Sequence, residues 1–222
     1  MPIRRAVLIT RQAISPRFAI NIFSNKLFPR CRRFVAISKQ MPLEFTTSYL
    51  KDSLSLFRYY KRLADGALAQ ITEEQLYSEL DPEANSIAVI MKHMAGNMLS
   101  RWTDFLTSDG EKPFRDRESE FRDPPRPREA LIELWEQAWQ FLFSALDPLS
   151  EDDMTRTITI RGEAHSVMQA INRQLGHYAY HCGQIVLLAK HYKQDQWRSL
   201  SIPRGRSAEF NRRVEAGQAS QR

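Results

Sequence analysis

The fold is decided above all by residues 166–192, which read SVMQAINRQLGHYAYHCGQIVLLAKHY. Apolar residues recur in this stretch every three or four positions, the spacing that places them on one face of an α-helix. The pattern therefore predicts a single long helix from about Ser166 to Tyr192. Small residues at positions 176, 179 and 183 form an adjacent stripe, which permits close approach of a neighbouring helix.

Three further stretches, lying before this one in the chain, show the same helical period. They cover residues 43–70, 86–106 and 127–148. Residues 154–161 alternate threonine with isoleucine and are followed by Gly162, which predicts a short β-strand or hairpin before the last helix. The predicted fold class is all-α, a four-helix bundle with crossover connections, followed by a polar tail over residues 199–222.

The positive charge of the chain is concentrated at its amino end. The 222 residues carry a net charge of +6, but residues 1–41 contain nine of the 32 basic residues and no acid. Subtracting nine from 32 leaves 23 basic residues against 26 acids, a net charge of −3 for residues 42–222. A mildly acidic body does not favour nucleic-acid binding by the folded domain.

The sequence divides into a basic leader, residues 1–41, and a bundle domain, residues 42–222. A mitochondrial-type presequence and a nucleic-acid-binding arm both fit the leader's composition. A third interpretation is that translation begins at Met41, because the following residues lead straight into the first helical pattern. No apolar run is long enough to predict a membrane span, and one cysteine in each region (Cys31 and Cys182) favours a reducing cytoplasm over a disulfide framework.

A pair of histidines on the last predicted helix is the first candidate for chemistry. His177 and His181 are four residues apart, so both imidazoles project from one helix face and can reach a single ion. Two buried histidines hydrogen-bonded to backbone or water would leave the same pattern. His93, on the apolar second helix, favours a three-histidine metal site with open positions for water or substrate.

Other polar residues are interpreted either as hydrogen-bond partners of the three histidines or as weaker candidates for chemistry. Asn97 and Gln184 are placed to hydrogen-bond the metal-site histidines, although either could be a surface amide. His165, at the start of the last helix, and His191, near its end, are weaker candidates. Cys182 is interpreted as a small core residue rather than a nucleophile.

Several separate blocks of the sequence resemble a bacterial branch of the DinB/YfiT-like superfamily that has no assigned function. They are HMAGNMLSRW at 93–102, DGEKPFRDRESEF at 109–121, GEAHS at 162–166, HYAYHCGQI at 177–185 and SIPRGRSAEFN at 201–211. The resemblance implies a four-helix bundle, usually a homodimer, with the metal held by His93, His177 and His181. Zinc and nickel are the favoured ions, although iron and copper also bind three imidazoles.

The function implied is that of a divalent-metal-dependent enzyme, a hydrolase or a low-molecular-weight-thiol transferase. The alternative is a non-enzymatic, stress-associated bundle in which the histidines or their metal are structural. Further candidates around the site are Arg101, Arg115, Arg117, Glu120 and Glu163. The arginines could bind an anionic substrate or the carboxylate of a thiol, or could anchor the loop through ion pairs with glutamates.

Overall fold

The computed structural model of the protein describes residues 48–220, which contain six α-helices and one β-hairpin. The helices are α1 (Tyr49–Leu68), α2 (Glu73–Tyr77), α3 (Ile87–Trp102), α4 (Arg128–Leu146), α5 (Val167–Lys193) and α6 (Ser207–Glu215). The strands β1 (Thr157–Ile160) and β2 (Glu163–Ser166) form the hairpin. The leader lies outside the described residues, so its interpretation stays a prediction.

Helices α1, α3, α4 and α5 form a four-helix bundle. Helix α1 packs against α5 and α4, and α3 packs against α4 and α5. Helices α1 and α3 therefore lie at opposite corners, as do α4 and α5. Because α1 connects to α3 and α4 connects to α5, two of the three connections cross the bundle diagonally. The predicted fold class, an all-α bundle with crossover connections, is confirmed, as is the hairpin before the last helix.

Large aromatic side chains fill the centre of the bundle. Phe57 of α1 and Trp139 of α4 both pack against Tyr178 of α5, with ring centroids 5.7 and 5.8 Å apart. None of the three side chains has measurable exposure. Burying a side chain of this size contributes about 1.5–3 kcal/mol through the hydrophobic effect. The core therefore holds α5 in a fixed rotation about its axis.

Serine residues cap the amino ends of three helices of the bundle. The side chains of Ser48, Ser86 and Ser166 accept a hydrogen bond from the third backbone N–H of α1, α3 and α5 respectively. At Ser166 the side chain of Gln169 reaches back to the serine N–H, which completes a capping box. These caps satisfy N–H groups that have no partner within the helix.

The long connection between α3 and α4 is attached to the hairpin through Asp109. Its carboxylate accepts hydrogen bonds from the backbone N–H groups of Arg161 and Gly162, both at 2.8 Å. Those two residues form the hairpin turn with φ of 55° and 77°, a conformation that favours glycine. The N–H of Gly110 also donates to the carbonyl of Thr159 at 2.8 Å. The turn is thereby held beside the end of α3.

Three local features differ from or add to the interpretation of the sequence. Helix α2 occupies part of what the sequence pattern indicated as a connection, because Thr72 and Gln75 form a capping box there. The polar tail contains helix α6. Within residues 48–220 no neighbouring helix packs on the stripe of small residues, since a Cβ atom at Gly176 or Gly183 would meet nothing within 4 Å. Within residues 48–220, no helix is both long and apolar enough to cross a membrane.

Candidate metal centre

Three histidines from two helices of the bundle converge. His93 lies on α3, while His177 and His181 lie one turn apart on α5. The Nε2 atom of His177 is 3.3 Å from Nε2 of His93 and 3.1 Å from Nε2 of His181. The three candidate ligand atoms all lie within 4.8 Å of one another. His93 and His177 are 84 positions apart in the sequence, and the packing of α3 against α5 brings them together.

Each of the three rings is held by a hydrogen bond on its other nitrogen. Nδ1 of His93 donates to the carboxylate of Glu120 at 2.8 Å. Nδ1 of His177 donates to Oε1 of Gln174 at 3.2 Å, and Nδ1 of His181 to Oε1 of Gln184 at 2.8 Å. Because every partner is an oxygen acceptor, the proton of each neutral ring lies on Nδ1 and the lone pair on Nε2.

Of the two amides expected to hold the histidines, one does so. Gln184 contacts His181 as predicted, but Asn97 makes no hydrogen bond to His93. Asn97 instead accepts from the hydroxyl of Tyr178 at 3.0 Å, and that hydroxyl accepts from the indole N–H of Trp102 at 3.1 Å. These buried groups form a hydrogen-bonded chain between α3 and α5. Gln174, three residues before His177, was not recognised from the sequence.

Glu120 reaches His93 because a single turn of 3₁₀-helix, Glu118–Phe121, packs against α3. The ammonium of Lys92 donates to the carbonyls of Ser119 and Arg122, both at 2.6 Å, and so holds the end of that turn. Phe121 stacks on the His93 ring with centroids 4.8 Å apart. The turn therefore supplies both a carboxylate and an aromatic face to the same imidazole.

Gly96 permits this close approach. A Cβ atom at that position would lie 2.3 Å from Oε1 and 2.8 Å from Cδ of Glu120. Contacts that short do not occur between real atoms, so any larger residue would displace the carboxylate. Gly96 lies on α3 one turn after His93. The carboxylate of Glu120, which accepts the hydrogen bond from His93, occupies the space that a side chain at Gly96 would fill.

Glu120 also belongs to a group of ion pairs between glutamates and arginines. Arg115 donates to both oxygens of Glu120, at 2.7 and 3.0 Å, and to Glu111 at 3.1 Å. Glu111 also pairs with Arg161 at 3.3 Å. Arg117 pairs with Glu118 at 3.1 Å, where both side chains are exposed. Arg115 and Arg117 therefore make loop-anchoring ion pairs, one of the two roles considered for them from the sequence.

The surroundings of the cluster favour neutral imidazoles. Burial, with the neighbouring histidines, lowers the pKa of His177 to about 3. Burial also lowers the pKa of His181. Burial alone would raise the pKa of Glu120, but hydrogen bonds from His93 and Arg115 outweigh it and lower the pKa below the usual value. The cluster thus combines two histidines whose pKa is lowered, His177 and His181, with one ionised carboxylate.

A cavity of about 340 Å³ opens beside the cluster. It is lined by His93, Asn97, Arg101, Arg115, Arg117, Arg161, Arg173, Gln174 and His177. Two of the three histidines thus face a space large enough for a small molecule. Arg161 and Arg173 were not recognised from the sequence, because they belong to the hairpin turn and to the exposed side of α5.

The other candidate residues lie apart from the cluster. His165 is in β2, where its ring bonds the carbonyl of Glu163, and His191 is exposed near the end of α5. Glu163 is exposed in the hairpin and does not line the cavity. Cys182 is buried, and burial raises the pKa of its thiol to about 12, as expected of a core residue rather than a nucleophile.

The fold and the cluster define a helical-bundle protein with three convergent histidines. Residues 44–206 match a family described as Protein of unknown function (DUF1572), and the chain belongs to this DinB-like family. No curated protein matches the chain. The family match covers the whole bundle and all three histidines.

Proposed function

We propose that the protein is a divalent-metal-dependent enzyme in which His93, His177 and His181 hold the ion. The observation that carries the proposal is the arrangement of the three Nε2 atoms. Lone pairs pointing at one another across 3.1–3.3 Å repel unless a cation lies between them. With bonds of about 2.0–2.1 Å, two nitrogens on a tetrahedral ion lie roughly 3.3 Å apart. The distances from His177 to the other two histidines fit such an ion.

The donor set favours a reactive site over a purely structural one. Structural zinc sites use four protein ligands, whereas catalytic sites use three and leave a position for water or substrate. Within the described residues the cluster contains three candidate donors, and a cavity adjoins two of them. Zinc and nickel both suit imidazole donors. When bound, the ion supplies Lewis acidity, which activates water or a thiol and polarises a carbonyl group.

Glu120 is a positioning residue in this proposal. Both of its oxygens are engaged, one by His93 and both by Arg115, and its pKa is lowered, so it is not available as a general base. Its contribution is to keep the Nδ1 proton of His93 in place and to increase the basicity of Nε2. Gln174 and Gln184 fix the other two rings in the same way.

The reaction proposed is hydrolysis or transfer of a low-molecular-weight thiol, the two chemistries that the DinB/YfiT-like resemblance suggests. Both begin with loss of a proton from a weak nucleophile, water in one case and a thiol in the other. The three-histidine cluster and the adjoining cavity support either. A panel of ester, amide and thiol-acceptor substrates, read with and without added thiol, distinguishes them.

Metal analysis tests the proposal directly. Full-length protein purified without chelator should contain close to one divalent ion per chain, and H93A and H181A should lose it. The matched control is H191A, which removes an exposed histidine of the same helix as His181 and should retain the metal. Wild-type protein that neither contains nor takes up zinc or nickel would overturn the proposal.

The alternative function, a non-enzymatic bundle with a structural metal, predicts a different result. Removing the ion would lower the melting temperature, but no substrate or small-molecule ligand would occupy the cavity. Activity that is lost in H181A and retained in H191A, with both variants folded by circular dichroism, would exclude that alternative.

A further inference from the structure

The cavity beside the histidines is rich in positive charge. Five of its nine lining residues are arginines, and none is an aspartate or a glutamate. Arg117 is paired with Glu118 at the surface. The other four arginines are accompanied by two carboxylates, those of Glu111 and Glu120. Four positive charges less two negative charges leave a net charge of +2 around the cavity.

Arg101 is a deeply buried arginine whose donors are incompletely paired. Its side chain is 3% exposed, and Nε and Nη1 have no hydrogen-bond partner among residues 48–220. The carboxylate of Glu111 is 3.9 Å from Nη2, beyond hydrogen-bonding distance. A buried guanidinium with unpaired donors is costly, and an anion in the cavity would remove that cost. Gly110 leaves room for this side chain, since a Cβ atom there would lie 2.6 Å from Nη1.

Arg173 provides positive charge from a second helix. It lies on α5 one turn before His177, lines the cavity and takes part in no ion pair within the described residues. Arg161 enters from the hairpin turn that Asp109 holds in place. Guanidinium groups therefore reach the cavity from α3, from α5 and from the hairpin, and they surround a space that also borders His93 and His177.

We infer that this arginine cavity binds the oxoanion group, carboxylate or phosphate, of a small substrate. The planar guanidinium matches either group with two parallel hydrogen bonds. A volume of about 340 Å³ is near the lower limit for small-molecule sites, which indicates a compact anionic metabolite. The inference rests on the proposed function for the reaction, because it places the reacting part of the substrate against His93 and His177. The anion binding itself requires only the arginines.

Calorimetric titration tests the inference with two probes, inorganic phosphate and succinate. The protein is the full-length chain, measured as purified and after chelation, with sodium chloride setting a constant ionic strength. At least one probe should bind both forms of the protein. The variants R101M and R173M should weaken that binding at least tenfold. The matched control is R62M, which removes an exposed arginine of α1 that is outside the cavity and should bind like the wild type.

The outcomes separate this inference from the metal proposal. The probe that binds more tightly identifies the group as phosphate or carboxylate. If R101M fails to fold, R173M decides, because that side chain is exposed. Binding that is unchanged in R173M, absent for both probes, or abolished by chelation would overturn the inference, whatever the metal content. Arginine-dependent binding by a protein that takes up no metal would overturn the proposed function and leave the anion site intact.

Discussion

Replacing Gly96 with alanine should destabilise the protein, although the same change in most helices is stabilising. An interior helical glycine changed to alanine ordinarily gains about 1 kcal/mol from helix propensity. At Gly96 the new Cβ would lie 2.3 Å from Oε1 of Glu120, and that oxygen would have to recede by about 1 Å to reach an ordinary contact of 3.4 Å. Movement of that size breaks at least one of the hydrogen bonds that Glu120 makes with His93 and Arg115.

The magnitude follows from setting these two effects against each other. A hydrogen bond to a charged group contributes about 1.5–3 kcal/mol, so losing one outweighs the propensity gain and leaves a net loss of roughly 0.5–2 kcal/mol. Gly176 offers a matched control, because it is also a helical glycine but a Cβ atom there would meet nothing within 4 Å. G176A should therefore be more stable than the wild type by up to about 1 kcal/mol.

Urea denaturation of chelator-treated protein, followed by circular dichroism, measures both changes without a contribution from metal. Metal affinity should also fall in G96A, by about 10–100-fold, because the hydrogen bond that orients His93 is disturbed. It should stay within about twofold of the wild type in G176A. If G96A is as stable as G176A and binds metal equally well, the role assigned to the contact between Gly96 and Glu120 is wrong.

Three further predictions concern the groups that hold the site. E120Q should weaken metal binding about 10–100-fold, and E118Q, in the same turn but exposed, should leave it unchanged, as measured by competition with a chromogenic chelator. Because burial lowers the pKa of His177 to about 3, below its unfolded value of 6.5, the unfolded state binds more protons below pH 6.5. The metal-free protein should therefore lose stability between pH 7.5 and 5.5, by at most about 1.4 kcal/mol per pH unit for each such histidine. In H177Q the free energy of unfolding, measured by urea denaturation, should depend less on pH. An unchanged pH dependence would show that His177 does not cause the loss of stability. D109A should lower the melting temperature by a few degrees and weaken binding of the anionic probes, because the hairpin turn loses the carboxylate that accepts its N–H groups; unaltered probe binding would show that the turn keeps its position without Asp109.

Local patterns in the sequence were sufficient to predict the four long helices of the bundle and the pairing of His177 with His181. Apolar spacing predicted the four long helices because a helix in a bundle buries one face. The residues of that face recur every three or four positions along the sequence. The spacing of His177 and His181 placed both rings on one helix face for the same reason. The identity of His93 as the third member depended on its position in an apolar helix and on the resemblance of the flanking blocks.

Residues without periodic order were harder to interpret. The connection between α3 and α4 follows the contacts of Asp109, Lys92 and Glu120 rather than a repeating pattern. Glu120 was named from the sequence as a candidate. Its hydrogen bond to His93, however, depends on the packing of the 3₁₀ turn Glu118–Phe121 against α3. Helix α6, in the polar tail, was not foreseen because it buries no residue fully and so lacks a strong apolar signal.

The sequence by itself therefore determined the all-α bundle and the pairing of His177 with His181, because both depend on spacing within single helices. Only the tertiary structure decided what surrounds them. Gly96 and Gly176 look alike as helical glycines, yet one faces a buried carboxylate and the other faces open space. Arg101 and Arg173 lie 72 positions apart in the sequence and line one cavity because α3 and α5 pack together. Contacts between distant segments depend on how helix faces meet, and the spacing of residues along one helix does not specify that.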